Sequence, residues 1–432
     1  MPTPQRTVVF VGFSGDWTRF LGRMGPDELV IFVEEPDVVR KRNVRDQLAP
    51  LTCAWQLIEW EHQRPGAADA FVAAFGGLRA VAVVPTLEYA VPFAARLAER
   101  YGLPGAGLGA ALVLRDKSAL RRVSAAAGIA NPVSQEVRTL EEVRGFVAEH
   151  GLPAILKPAD LQASLGTYVL TDEAELPAAW EQVQDQSDGD AFLPDRAAVS
   201  RMLVETFVKG TEFSVELLVR DGECLFGNVT GKQLFTGPYP VESGHTIPAD
   251  ISGDDTARLL LATQRLVDAV AFRTGFVHAE WIVADGVPYL VEAAGRLAGD
   301  MIMPLINHAY GTDVIAAFLD VMRGVPVSVP LPSQPGSRTA VQFVSVDAGE
   351  IAEVAGAEEA LAVDGVLEAF IFVTAGDEVR ELRNSFNRVA FASAAAATTD
   401  EALNAVRAAT DRMVVKTVPL SKDVPAQGSS TE

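Results

Sequence analysis

The stretch HAEWIVADGVPYLVEAAGR (278–296) decides the fold: two short apolar runs flank an Asp-Gly pair, with Glu280 near the start of the first and Glu292 at the end of the second. Asp285 and Gly286 both tolerate the positive φ that tight turns demand, so the stretch predicts a β-hairpin. Its register decides where the acids go. A two-residue loop sets Glu280 against Val291 and turns Glu292 to the opposite side; a three-residue loop, Asp285 to Val287, makes Glu280 and Glu292 cross-strand neighbours on one face. Two like charges that close repel, and a sheet tolerates them when a cation sits between; hard oxygen ligands suit magnesium. Two solvated acids at fraying strand ends fit the same residues, so the rest of the chain must decide.

At 432 residues the chain is long enough for about two to four domains and a substantial core. A hydrophobic fraction of 49% with 22% charged residues is that of a globular protein. Lys and Arg number 36 against 57 acids, a net charge of −21, which opposes nonspecific nucleic-acid binding but allows a small anion in a locally basic pocket. Cys53 and Cys224 are far apart, with no CxxC or Cys/His cluster, so a disulfide scaffold and a structural zinc are not expected. The N-terminus lacks the apolar run and cleavage site of a signal peptide, and no segment approaches about 18 uninterrupted apolar residues. A cytoplasmic protein with no membrane partner is expected.

TVVFVGF (7–13), ELVIFVE (28–34) and AVAVVPT (80–86), with helical stretches at 67–78 and 88–102, predict a parallel α/β domain over 1–112. GFSGDW is not a GxGxxG fingerprint. RDKSALRRVSAAAGIANPVS (115–134) predicts a helix from near Asp116 to Gly128, and TLEEVRGFVAEHG (139–151) another with a glycine stop. PAILKPAD (153–160) and TYVLT (167–171) flank the loop LQASLG, and the polar stretch 185–198 reads as a surface connection. Residues 202–232 alternate β-type runs around turn signals, 256–272 is an amphipathic helix, and a Pro-rich break at 325–337 introduces a terminal lobe. The last residues have the composition of a disordered tail.

A magnesium hairpin raises the question of a nucleotide site. Lys157 ends an apolar strand beside a loop holding Ser164 and Gly166, a plausible polyphosphate clamp, although LQASLG lacks the Walker spacing and reads equally as a surface loop. Lys117 opens a helix, where a lysine works against the dipole. In LVETFVKGTEFSVE (203–216) an extended run from Glu205 through Val208 can pair with adenine's edge, and Glu212 can take ribose hydroxyls; an ordinary acidic hairpin is the alternative.

In this order the pieces DKSALRRVSAAAGIANP, PAILKPAD, VETFVKGTEFSVE, HAEW and VEAAGR resemble the ATP-grasp superfamily of carboxylate–amine ligases over about residues 113–325. GKQLFTGPYPVESGHTIPA (231–249) is most similar to the L-amino acid (dipeptide) ligases among them. The resemblance implies an α/β ATP-grasp fold. It consists of a Rossmann-like N-terminal domain (1–112), a small lid subdomain (113–202), a large antiparallel-sheet subdomain with the nucleotide and metal site (203–326), a C-terminal lobe (327–420) and the tail (421–432). It implies ATP and Mg2+ or Mn2+ as cofactors, with Lys117 and Lys157 on phosphates beside Ser164 and Gly166. Glu205 and Val208 would line the adenine hinge, Glu212 hold ribose, Glu280 and Glu292 the metal, Arg296 the transferred phosphate, and His245 lie beside substrate or phosphates. The activity implied is ATP-dependent amide formation between amino acids through an acyl phosphate, in a homodimer.

Two positions depart from the family. Ala294 stands where an asparagine usually completes the metal shell, with Asp300 or water as substitutes, and LQASLG is a reduced lid. A biotin carboxylase-like or purine-pathway enzyme and a noncatalytic ATP-binding module are the competing readings.

Overall fold

A computed structural model describes residues 6–185, 187–196 and 201–420. Arg6–Val11, Glu28–Glu34 and Ala80–Pro85 pair in parallel, with Arg6–Val11 in the middle of the three. Val8, Val9, Phe10, Val11, Ile31 and Phe32 are fully buried, because helices cover both faces and leave no polar side for alternation to mark. Trp55–Glu59 adds a half-exposed edge strand that the sequence reading did not include. Helices Ala67–Phe75 and Val91–Tyr101 pack against the sheet, the second stopped by Gly102 at φ 67°.

The next unit is a four-stranded antiparallel sheet in the order Ser134–Val137, Met202–Thr206, Ala154–Pro158, Tyr168–Leu170. Helix Lys117–Ala126 precedes it, its first turn capped by the Asp116 carboxylate. Helix Leu140–His150 packs on it, opened by a Thr139/Glu142 capping box and closed by Gly151. The expected division at 202/203 falls inside strand Met202–Thr206, whose hydrogen bonds belong to the small sheet. The stretch at 185–198 is more than a surface connection where it is described: Arg196 pairs with Glu35 at 2.7 Å, Lys41 with Asp195 at 2.6 Å, and Phe192 stacks on Phe386.

The largest sheet has eight antiparallel strands, from Val287–Ala294 at one edge through Gly275–Ala284, Thr211–Arg220, Glu223–Leu234 and Glu242–Ile247. It continues into Arg338–Val344, Ala390–Ala396 and Val366–Ile371, so it crosses the expected boundary at 326/327 without a break. One face is apolar and closed by helix Gly253–Ala269, with Trp281, Leu217 and Leu290 in its core. The other face carries polar side chains. Strands Glu378–Val379, Gly349–Ala355 and Val414–Val418 form a small separate sheet. The expected tail, 421–432, lies outside the described residues.

The hairpin corrects the register argument. Its loop has two residues, with Asp285 and Gly286 at φ 49° and 76° and Ala284 paired with Val287. Trp281 pairs with Leu290 as that loop requires, then a bulge inserts Val291 and Glu280 pairs with Glu292. The expected cross-strand pair forms, through a bulge in place of the third loop residue. No helix among the described residues is long and apolar enough to cross a membrane.

Candidate active site

A cavity of about 850 Å³ opens between the parallel sheet, the small sheet and the polar face of the large one. Period-two geometry builds that face. Glu280 lies opposite Ser214, His278 opposite Glu216, Asn228 opposite Glu216, Thr230 opposite Ser214 and Lys232 opposite His245, so polar residues two apart on each strand align across the sheet.

The hairpin acids are each matched by a lysine. Lys232 Nζ lies 2.6 Å from Glu280 and 3.2 Å from Glu242, and Lys117 Nζ lies 3.0 Å from Glu292. The anomaly of a lysine in a first helical turn has its explanation here, because the Glu292 carboxylate offsets the dipole. Burial works against charge on Lys232, but Glu280, Glu242 and Glu212 raise its pKa well above the lysine range. Burial likewise opposes ionisation of Glu280, yet Lys232 and His278 hold its carboxyl below the ordinary range. His278 Nδ1 is 3.1 Å from Glu216 and Nε2 is 3.4 Å from Glu280; against the effect of burial these acids push the imidazole up to about 9. Glu216 is further held by Ser214, Asn228 and Thr230.

This donor set fits a hard divalent cation. Two carboxylates face each other across the hairpin, and the ammonium groups beside them mark a place where positive charge is balanced. Ala294 is buried and offers no oxygen, while Asp300 is occupied: Arg388 donates to it at 2.6 and 3.0 Å, and His245 Nε2 lies 3.4 Å away. Burial opposes the Asp300 charge, and Arg388 with His245 holds the carboxyl well below its usual range. Among the described residues no group of three or more His, Cys, Asp or Glu is arranged around a metal. The pair therefore suits a cation that takes its remaining ligands from phosphate and water.

Lys157 reaches the cavity from the end of its strand, buried, with Nζ 2.7 Å from Glu205. Burial lowers its pKa. Arg121 donates to both Glu205 oxygens, at 2.9 and 3.1 Å, and to the carbonyl of Val291 at 2.7 Å. The bulge thus turns a carbonyl out of the ladder and onto the arginine that fixes Glu205, which in turn fixes Lys157. Burial opposes ionisation of Glu205 as well, and Lys157 with Arg121 holds its carboxyl at about 2. Glu205 and Val208, the expected adenine hinge, both line the cavity, and the Glu205 side chain is bound to Lys157. Glu212 lines the same wall, its pKa raised by burial against the pull of Lys232.

The loop LQASLG is small and tightly tied. Ser164 adopts φ 58° and donates to the carbonyl of Pro240 at 2.9 Å; Gly166 has φ 66°, and a Cβ there would come within 2.8 Å of Pro158 and 2.9 Å of the Val183 carbonyl. Gln162 accepts from the Glu88 amide at 3.3 Å and Ala163 from the Ser385 amide at 3.2 Å, so the loop touches both the first domain and the C-terminal lobe. Arg296 Nε lies 3.0 Å from Glu88. His245 is buried with Nδ1 unpartnered, against Phe343. Every expected site residue except Gly166 lines this one cavity. Lys232, Arg121, Glu216, His278 and Arg388 were not singled out. The alternation of the polar Asn228, Thr230 and Lys232 with Val229 and Gly231 was the available signal for Lys232; nothing local marks Arg388.

Residues 150–304 match the model of the ATP-grasp domain, and residues 342–418 that of L-amino acid ligase C-terminal domain 2. Alanine–anticapsin ligase of Bacillus subtilis strain 168 is 28% identical over 241 residues, 53% of this chain and 51% of that protein. D-alanine–D-alanine ligase of Desulforudis audaxviator is 27% identical over 246 residues, 54% of this chain and 72% of that protein. The chain spans about half the length of the alanine–anticapsin ligases it matches. The crystal structure of L-amino acid ligase from Bacillus licheniformis shares the fold, with a TM-score of 0.75 at 18% identity, covering 96% of this chain and all of that one. The first matched segment holds Lys157 and the hairpin acids, and the second most of the C-terminal lobe: the chain carries an ATP-grasp domain followed by an L-amino acid ligase C-terminal domain.

Proposed function

We propose that this protein is an ATP-dependent carboxylate–amine ligase that joins amino acids, or an amino acid and a related acid, through an acyl phosphate with release of ADP and phosphate. The observation that carries the reading is the Glu280–Glu292 pair, opposed by Lys117 and Lys232, in the cavity that Lys157 and Arg296 also line. The family matches and the ligase relatives support it.

In this reading Lys117 and Lys157 hold ATP phosphates, the latter aimed by Glu205 and Arg121. Val208 borders the adenine and Glu212 takes ribose hydroxyls. Mg2+ or Mn2+ held by Glu280 and Glu292 would neutralise phosphate charge as a Lewis acid. A substrate carboxylate oxygen attacks the γ-phosphorus and ADP leaves; Arg296 balances charge on the transferred phosphoryl group. The amine nitrogen then attacks the acyl carbon, phosphate leaves, and the nitrogen loses a proton. Ser164 and Gly166 set the loop that screens the acyl phosphate from water, and His245 borders the substrate. Ala294 and the reduced lid LQASLG are the observations that favour a noncatalytic ATP-binding module.

The test is ADP and phosphate release across amino acids offered singly and in pairs, with mass spectrometry of products. A product lighter than two amino acids by one water, lost in Glu292→Gln while the far-UV spectrum is kept, is expected. Tight ATP binding without release by any pair would favour the noncatalytic module instead.

A further inference from the structure

Among the described residues, five lysine or arginine side chains line the cavity, and four have a carboxylate partner: Lys117 with Glu292, Lys157 with Glu205, Lys232 with Glu280 and Arg296 with Glu88. Arg42 has none among the described residues. It caps the end of helix Pro36–Lys41, which follows the inner parallel strand Glu28–Glu34, and donates from Nη1 to the carbonyl of Phe13. Its guanidinium lies over Phe192 at 4.3 Å and Phe13 at 5.5 Å, and its Nε and Nη2 have no hydrogen-bond partner among the described residues.

In a chain with 57 acids, an arginine half-buried in the main cavity without one calls for an explanation. Two acids of the adjoining strand end are committed elsewhere. Glu34 accepts from the Phe13 amide and the Tyr89 hydroxyl and contacts His62; Glu35 is held by Arg196 at 2.7 Å. Around Arg42 the cavity is lined by Ser14 and Gln47, whose amide donates to the Arg42 carbonyl at 2.6 Å, and walled by Trp17, Phe20 and Phe192. A pre-oriented guanidinium with free donors, at a polar end of an aromatic-walled pocket, is built for a planar anion from outside the chain.

We propose that Arg42 binds the carboxylate of an amino acid substrate that is not activated. The inference rests on the ligase reading for the word substrate, but the site itself is defined by binding. Two sources share the chemistry: the α-carboxylate of the amine-donating amino acid, and the side-chain carboxylate of an acidic one. In either case Arg42 is a specificity residue on the face of the cavity contributed by the first domain.

The experiment measures binding of the proteinogenic L-amino acids, and of their amides, by calorimetry to the full chain with Mg2+ and a nonhydrolysable ATP analogue, for wild type, Arg42→Gln and Arg42→Lys. At least one amino acid is expected to bind about tenfold to a hundredfold more weakly to Arg42→Gln, with part of the loss recovered by Arg42→Lys. Affinity for the ATP analogue stays unchanged, which a purely structural role for the stacked arginine would not predict. On wild type, loss of affinity with the α-amide assigns the α-carboxylate; loss when Asn or Gln replaces Asp or Glu assigns the side chain. Equal affinity of wild type and Arg42→Gln for every amino acid, or no binding to wild type, overturns the proposal. If Arg42→Gln does not fold, the wild-type comparison of acid with amide decides, and equal affinity overturns it. Discrimination at Arg42 without any amide product would sink the ligase reading and leave this site standing; product without discrimination would do the reverse.

Discussion

Lys232 shows how one side chain can hold a site together. Its ammonium group sits within 4.0 Å of Glu212, Glu242 and Glu280, and only 4% of the side chain is exposed. Removing it leaves buried carboxylates facing one another without compensation, which in a buried network costs more than an ordinary surface pair contributes. Lys232→Met is expected to lower unfolding free energy by about 3 kcal/mol, read from urea denaturation without nucleotide. A variant as stable as wild type would mean that these acids are neutralised in another way. The lysine was legible as an unusual residue on the inward side of a strand, but the three acids it joins come from three other strands. Glu280 and Glu292, by contrast, could be read as a pair because one short hairpin holds both.

Local rules worked best for elements closed within a few residues. Asp116, Thr139 and Gly151 sit at the helix ends their types suggest, because a cap is a contact with the adjoining turn. The bulge at Val291 escaped that reasoning: strict alternation has no place for an extra residue, and what holds the bulge is Arg121, some 170 positions earlier in the chain. The LQASLG loop lies between these cases. Its single glycine is required, since φ 66° and the approach of Pro158 and the Val183 carbonyl leave no room for a methyl group. Gly166→Ala is expected to cost about 1–3 kcal/mol locally and to raise the KM for ATP roughly tenfold by shifting the strand end that carries Lys157. An unchanged KM would separate this loop from nucleotide binding.

For the whole molecule, the charge network makes stability depend on acid. The Glu205 carboxyl is held at about 2 when folded, below the roughly 4.3 of an unfolded chain. Its contribution is therefore fully present above the unfolded value and is lost as pH falls from there toward 2, a change of about 3 kcal/mol at most. Denaturation midpoints measured between neutral pH and about pH 3 should fall steeply for wild type and less steeply for Glu205→Gln, which starts lower because Lys157 and Arg121 lose their partner. Parallel slopes would assign the acid sensitivity to other groups. By itself, the sequence determined the main strands of the parallel sheet, most of the helices with their caps, the hairpin, and most of the charged residue types that line the cavity, since each depends on periodicity, turn chemistry or neighbours a few positions apart. Only the tertiary structure decided that Val291 bulges, that Glu205 serves Lys157, that Asp300 belongs to Arg388, and that the large sheet runs on into the C-terminal lobe. Those outcomes depend on which distant side chains share a buried space, and burial makes the pairing of charges there compulsory.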